Sequence, residues 1–231
     1  MNSIHFWQTA RDCLRGDDPV VLLLVAAAEG SSPGRPGFKM LAGPDGRRSG
    51  TIGGGALERM LIERAMELLS GPAPSPSWIQ YQHRPEGEVA VSSGMICSGG
   101  QTMVILPLKP AEEEVIGFIL ERLRDGRGVS LTVDAGGLHA GVEEVPENEP
   151  ETISWDPDAW RYRETIQPPL RMTIVGGGHV GLALSRVLAT LGYRVVILDN
   201  RPDLDTLRGN HDASEVRIID YDQVADHVPT G

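Results

Sequence analysis

The sequence predicts an α/β protein, with an N-terminal α/β domain followed by a partial Rossmann-type parallel-sheet domain, and three observations carry that prediction. An unbroken apolar run of strand length, VVLLLVAAA at residues 20–28, lies early in the chain. Two glycine-rich stretches, at 53–55 and 176–181, each lead directly into a segment whose apolar residues fall at helical spacing. The second is also preceded by a β-prone apolar stretch, which gives the strand, glycine turn, helix order of a nucleotide-binding unit.

Taken in order, Asn2 or Ser3 can cap a short helix that runs through Leu14 and stops at Gly16, with Cys13 as a packing residue. The run at 20–28 reads as a central strand buried on both faces. A loop rich in Gly, Ser and Pro follows at 29–37, then a hairpin over 39–42 and 48–52 around the turn Gly43-Pro44-Asp45-Gly46. Leu57, Met60, Leu61, Ala65, Leu68 and Leu69 then mark a helix over 56–69. Strands are expected at 78–83, 101–106 and 129–133, and a helix at 111–124 closed by Asp125-Gly126.

Residues 143–157 are rich in Glu, Pro and Asn, the composition of an exposed linker, and Pro168-Pro169 stiffens its far end. The domain boundary is therefore expected near Glu164, with domains over 1–160 and 165–231. Beyond it, residues 170–175 form a strand, Gly176-Gly177-Gly178-His179-Val180-Gly181 supplies G-x-G-x-x-G, and 182–191 form a helix. Gly176 allows the tight turn, Gly178 lets a pyrophosphate approach the backbone, and Gly181 lets helix and strand pack closely. A second strand at 194–198 ends in Asp199, about 20 positions on, where an acid ordinarily meets a ribose hydroxyl. A third strand over 215–219 makes half a doubly wound sheet. Either a C-terminal piece is missing or a partner chain completes the sheet, and the first is favoured.

With 21 basic against 32 acidic residues the net charge is −11, which opposes the phosphate neutralisation that drives nucleic-acid binding. No apolar run approaches the ~20 residues that span a bilayer, and the first residues lack a signal-peptide pattern, so a cytoplasmic protein is expected. Cys13 and Cys97 are too few for a disulfide framework. The histidines have no metal-ligand spacing, and neither a nucleophile elbow nor a paired-carboxylate couple is present, which argues against hydrolase chemistry.

Candidate site residues follow from residue type. Cys97, between Met95-Ile96 and Gly99-Gly100, is placed to offer a thiolate to a soft metal or a sulfur donor, or else is an inert packed thiol. Gly53, Gly54 and Gly55 lie at a helix start whose backbone N–H groups can hold a phosphate, or they merely allow tight packing. Arg35 and Lys39 can neutralise such a phosphate, or they are solvated surface charges. Glu58 in the first helical turn favours the helix dipole. Gly176, Gly178, Gly181 and Asp199 are read as nucleotide contacts, with His179 filling a variable position of the turn.

Three stretches together resemble the xanthine dehydrogenase accessory factor family, also called XdhC/CoxI. Gly30-Ser31-Ser32-Pro33 with Pro36-Gly37-Phe38-Lys39-Met40 resembles its first loop, and Gly50-Thr51-Ile52-Gly53-Gly54-Gly55-Ala56-Leu57-Glu58 its second. Gly94-Met95-Ile96-Cys97 with Gly99-Gly100 resembles its cysteine-glycine motif. The resemblance implies an accessory protein that binds the molybdenum cofactor (molybdopterin), assists its sulfuration and delivers it to a xanthine dehydrogenase-like molybdoenzyme. It brings Ser31 and Ser32 among the cofactor contacts, with Cys97 as the metal ligand or sulfur carrier. A cysteine desulfurase as second partner, a homo-oligomer, and NAD(P) or another nucleotide at the Rossmann turn complete the expectation. The alternative is an NAD(P)-dependent oxidoreductase, motivated by residues 176–181 and Asp199 and lacking an identifiable catalytic residue. A silent scaffold is the third reading.

Overall fold

The computed structural model describes residues 3–72, 74–82, the backbone of 91–92, 99–142 and 152–228. They form two compact units that divide between Pro168 and Pro169. The N-terminal unit carries α1 (Ser3–Arg15), β1 (Val21–Gly30), β2 (Lys39–Gly43), β3 (Gly46–Gly50), α2 (Gly55–Leu69), β4 (Ser77–Gln82) and β5 (Val91–Ser92). It continues with β6 (Gly99–Pro107), α3 (Glu112–Arg124), β7 (Val129–Asp134), β8 (Gly137–Gly141), β9 (Ile153–Asp156) and β10 (Arg161–Ile166).

β1 is central in a six-stranded sheet of order β3-β2-β1-β6-β4-β5 and pairs antiparallel with both neighbours, Leu23 lying opposite Met40 and Ile105. Because successive side chains point to opposite faces, Leu22 and Leu24 enter a core with α1 and α3, while Val21, Leu23 and Val25 enter another with α2. That double burial is why the strand reads as an unbroken apolar run. Each such leucine, taken fully out of water, contributes about 2 kcal/mol. Leu57, Leu61 and Ala65 give α2 its buried stripe at the spacing the sequence shows.

A second sheet, β8-β7-β10-β9, lies against the first of these cores, and Val129, Leu131 and Val133 of β7 alternate inward. Here the linker expectation needs correction. Residues 143–151 lie outside the described residues, but Ile153–Asp156 and Arg161–Ile166 pair with one another as strands of the N-terminal unit. The expected boundary at Glu164 thus falls within β10. Its side chain is buried there, because the antiparallel partner β7 and an ion pair described below hold the strand in the core.

The second unit begins with β11 (Arg171–Val175), α4 (His179–Thr190) and β12 (Arg194–Asp199). α5 (Asp205–Arg208), β13 (Glu215–Ile218), a 3-10 turn (Tyr221–Gln223) and α6 (Val224–His227) follow. The strands are parallel in the order β11-β12-β13, Ile174 lying opposite Ile197 and Ile197 opposite Val216. Ile174, Leu188, Val195, Ile197 and Leu207 form a small core. Val175 and, on α4, Val180, Leu184, Val187 and Leu191 are exposed. Among the described residues β11 has a sheet neighbour on one side only.

Candidate functional site

In the N-terminal unit, three stretches far apart in sequence converge beside the sheet. Gly53 has φ +116°, and a Cβ there would stand 2.5 Å from Gly34 N, so the second loop rests backbone to backbone on the first. Gly99, at the start of β6, lies against Ser31, where a Cβ would stand 3.0 Å from the Ser31 carbonyl carbon. Gln101, 1% exposed, spans the junction: it lies against Gly34 and its Nε2 donates to Ile52 O at 3.4 Å. Its Oε1 has no hydrogen-bond partner among the described residues. Gly94, Met95, Ile96 and Cys97 lie outside the described residues.

The electrostatics of this junction revise two expectations. Glu58, at the third position of α2, accepts from Ile52 N and Gly54 N, each at 3.0 Å, and from the Thr51 hydroxyl. Gly53 N donates to Thr51 Oγ1 at 3.2 Å. Partial burial pushes the Glu58 carboxyl up, and these hydrogen bonds outweigh it, so the group is held below its ordinary value. The N–H groups of Gly53 and Gly54, expected to hold a phosphate, are therefore already satisfied, by a hydroxyl and by an internal carboxylate respectively. This is the reciprocal half of a capping box, with glycine as the N-cap.

Lys39 is likewise not a solvent-facing cation. Its Nζ lies 2.5 Å from Glu164 Oε1 and donates to Gly37 O at 2.9 Å, with both charged side chains under a tenth exposed. The Tyr162 hydroxyl donates to Glu164 Oε2 at 2.9 Å. A buried charge is tolerable only when paired, and this pair ties the first loop to β10. Arg35 and Ser31 remain exposed on that loop, with Ser32 half-buried beside them.

The second glycine loop, in the Rossmann unit, has a different character. Gly176 turns at φ +109°, and a Cβ on Gly181 would collide with Gly176 O, so helix and turn pack as the fingerprint requires. At Gly178 a Cβ would meet nothing within 4 Å, which leaves open the side from which a phosphate would approach the start of α4. Gly176, Gly178 and the exposed His179 border a cleft of about 660 Å³ floored by residues 172–175 and walled by Leu184 and Leu188.

Asp199 is where the spacing places it, at the end of β12, yet it is 0% exposed. Oδ2 accepts from Gly177 N at 2.6 Å and from Arg201 Nη2 at 2.9 Å, and Oδ1 accepts from Arg201 N at 2.8 Å and Nε at 2.9 Å. The Arg201 guanidinium, working against burial and aided by Gly177 N–H, holds this carboxyl well below the usual carboxylate range. The expected direct contact with a ribose hydroxyl is therefore occupied by Arg201 instead. Arg201 went unnoticed in the sequence, although an arginine two residues beyond the strand-end acid was visible. Gln101 and Glu164 carried no such local signal.

A model of the XdhC and CoxI family matches residues 13–81, and one of the NAD(P)-binding Rossmann-like domain matches residues 174–217. The chain is 23% identical over 224 residues to a Bacillus subtilis (strain 168) protein named as a probable xanthine dehydrogenase component, an alignment that covers 87% of this chain and 65% of that protein. This chain therefore spans just under two thirds of that relative's length. A crystal structure of a xanthine dehydrogenase from Bacillus halodurans superposes with a TM-score of 0.73 at 22% identity, covering 99% of this chain and 72% of that one, and shows the shared fold.

Proposed function

We propose, from the XdhC and CoxI family segment that residues 13–81 carry, that this chain is an accessory factor for a xanthine dehydrogenase-type molybdenum hydroxylase. In this reading it holds the molybdenum cofactor where its N-terminal loops converge, assists sulfuration, and inserts the cofactor into the apoenzyme. The Rossmann unit takes a nucleotide.

One observation carries the reading. Gly34, Gly53 and Gly99, from three separate stretches, are packed within backbone contact of one another's loops around the buried amide of Gln101. A fold that merely needed a tight turn would not have to bring all three to one place. The junction also contains a buried acceptor, Gln101 Oε1, with no partner among the described residues, and such groups are ordinarily satisfied. A heterocycle with N–H donors, such as a pterin, suits it. Since Gly53 and Gly54 are committed to Thr51 and Glu58, the anionic end of the cofactor would be held by Arg35, Ser31 and Ser32.

When bound, the cofactor supplies the molybdenum centre that the hydroxylase needs. Cys97 lies two residues before Gly99 in sequence, and its thiolate is a soft donor suited to that metal or to carrying sulfur. Molybdenum retained by the purified protein, measured by mass spectrometry after co-expression with cofactor biosynthesis, is expected to fall for Cys97→Ala and for Arg35→Ala. Equal metal in all three proteins would remove this assignment.

A further inference from the structure

We infer that Arg201 selects a nucleotide carrying a phosphate on its adenosine ribose, so that the Rossmann unit prefers a 2′-phosphorylated dinucleotide to its unphosphorylated counterpart. This rests on the reading of residues 174–217 as a nucleotide site. Three parallel strands with α4 are the half of a doubly wound sheet that receives the adenosine side of a dinucleotide, so the relevant subsite lies within the described residues.

At that subsite the discriminating group is ordinarily the acid at the end of the second strand, which accepts hydrogen bonds from the ribose hydroxyls. Asp199 cannot do so here. Four N–H groups converge on its two oxygens at 2.6–2.9 Å, and the side chain has no exposed surface. A ribose would have to displace either the Gly177 amide, which shapes the glycine turn, or a bidentate guanidinium.

The group presented outward is Arg201, whose side chain is 55% exposed. A guanidinium has five N–H donors in a rigid fork, and Asp199 takes one on Nε and one on Nη2. The remaining donors face away from Asp199, toward the side where Tyr221 lies beside the guanidinium. A fixed, outward-facing guanidinium suits a phosphate far better than a hydroxyl, which offers it one weak acceptor. Asp199 is thus a positioning residue: it holds Arg201 in one orientation before ligand arrives.

The test is isothermal titration calorimetry on the whole protein with adenosine 2′,5′-bisphosphate against 5′-AMP, and with NADPH against NADH. The phosphorylated member of each pair is expected to bind about tenfold tighter or better, and added salt should narrow the gap. Arg201→Ala should bring each pair within about twofold, while Arg201→Lys, which keeps the charge and loses the fork, should retain part of the preference. Folding of the variants is checked by circular dichroism, and the wild-type ratio decides the question even if a variant is unstable. Equal or reversed affinities in the wild type would overturn the role of Arg201 and leave the nucleotide reading standing. No binding of any of the four ligands would overturn both.

Discussion

The two glycine loops, one leading into α2 and the other into α4, look alike in sequence and do opposite things in the fold. At Gly53-Gly54 the backbone donors are closed by the chain's own groups, Thr51 and Glu58, and the glycines serve close packing of one loop on another. At Gly178 the corresponding space is open, and a side chain would meet no neighbour. Glycine before a helix therefore marks backbone that approaches something closely. Whether that something is protein or ligand is decided by which acceptor the surrounding chain provides.

Four substitutions probe this contrast. The largest effect is expected from Lys39→Met, which takes the buried cation from Glu164 and unpins the first loop. Removing one member of such a pair costs about 3–5 kcal/mol, read as a lower urea midpoint for the N-terminal unit. Gly53→Ala comes next, at about 2–4 kcal/mol, because the new Cβ meets Gly34 backbone while φ stays positive. A cost below about 1 kcal/mol, the ordinary effect of a point mutation, would show that the loop contact is loose, and the distinction between the loops would weaken.

Glu58→Gln should cost about 1 kcal/mol at neutral pH, the usual value of a helix cap. Its pH dependence sharpens the point. The folded carboxyl titrates below its ordinary 4.5, so the stabilisation is fully present above that value and is lost as pH falls through the lowered folded pKa. The gap between wild type and variant, followed by thermal unfolding, should close on acidification. The smallest effect on stability is expected from Gly178→Ala, within about 0.5 kcal/mol, since φ is −70° and the space is empty. The same change should weaken nucleotide binding severalfold in calorimetry. If it destabilised the Rossmann unit as Gly53→Ala does the other, the two loops would be equivalent after all.

Periodicity made most elements legible. β1 betrayed its burial by an unbroken apolar run, α2 by the spacing of Leu57, Leu61 and Ala65, and the Rossmann unit by glycines in register between a strand and a helix. β8, β9 and β10 escaped notice because they are short, half-polar strands, such as Arg161–Ile166 with Arg163 and Glu164. Their strand character comes from pairing with β7 and with one another, and no local pattern announces a hydrogen-bonded neighbour.

The sequence by itself determined where the backbone is laid bare, because glycine's missing Cβ is a property of the residue and its spacing is a property of the chain. Only the tertiary structure decided which charges meet. Lys39 finds Glu164 across 125 positions, Glu58 turns back onto its own loop, and Asp199 gives its carboxylate to Arg201 rather than to solvent. Electrostatic pairing depends on distances of a few ångströms and on what shields them from water, and neither is defined until the chain has folded.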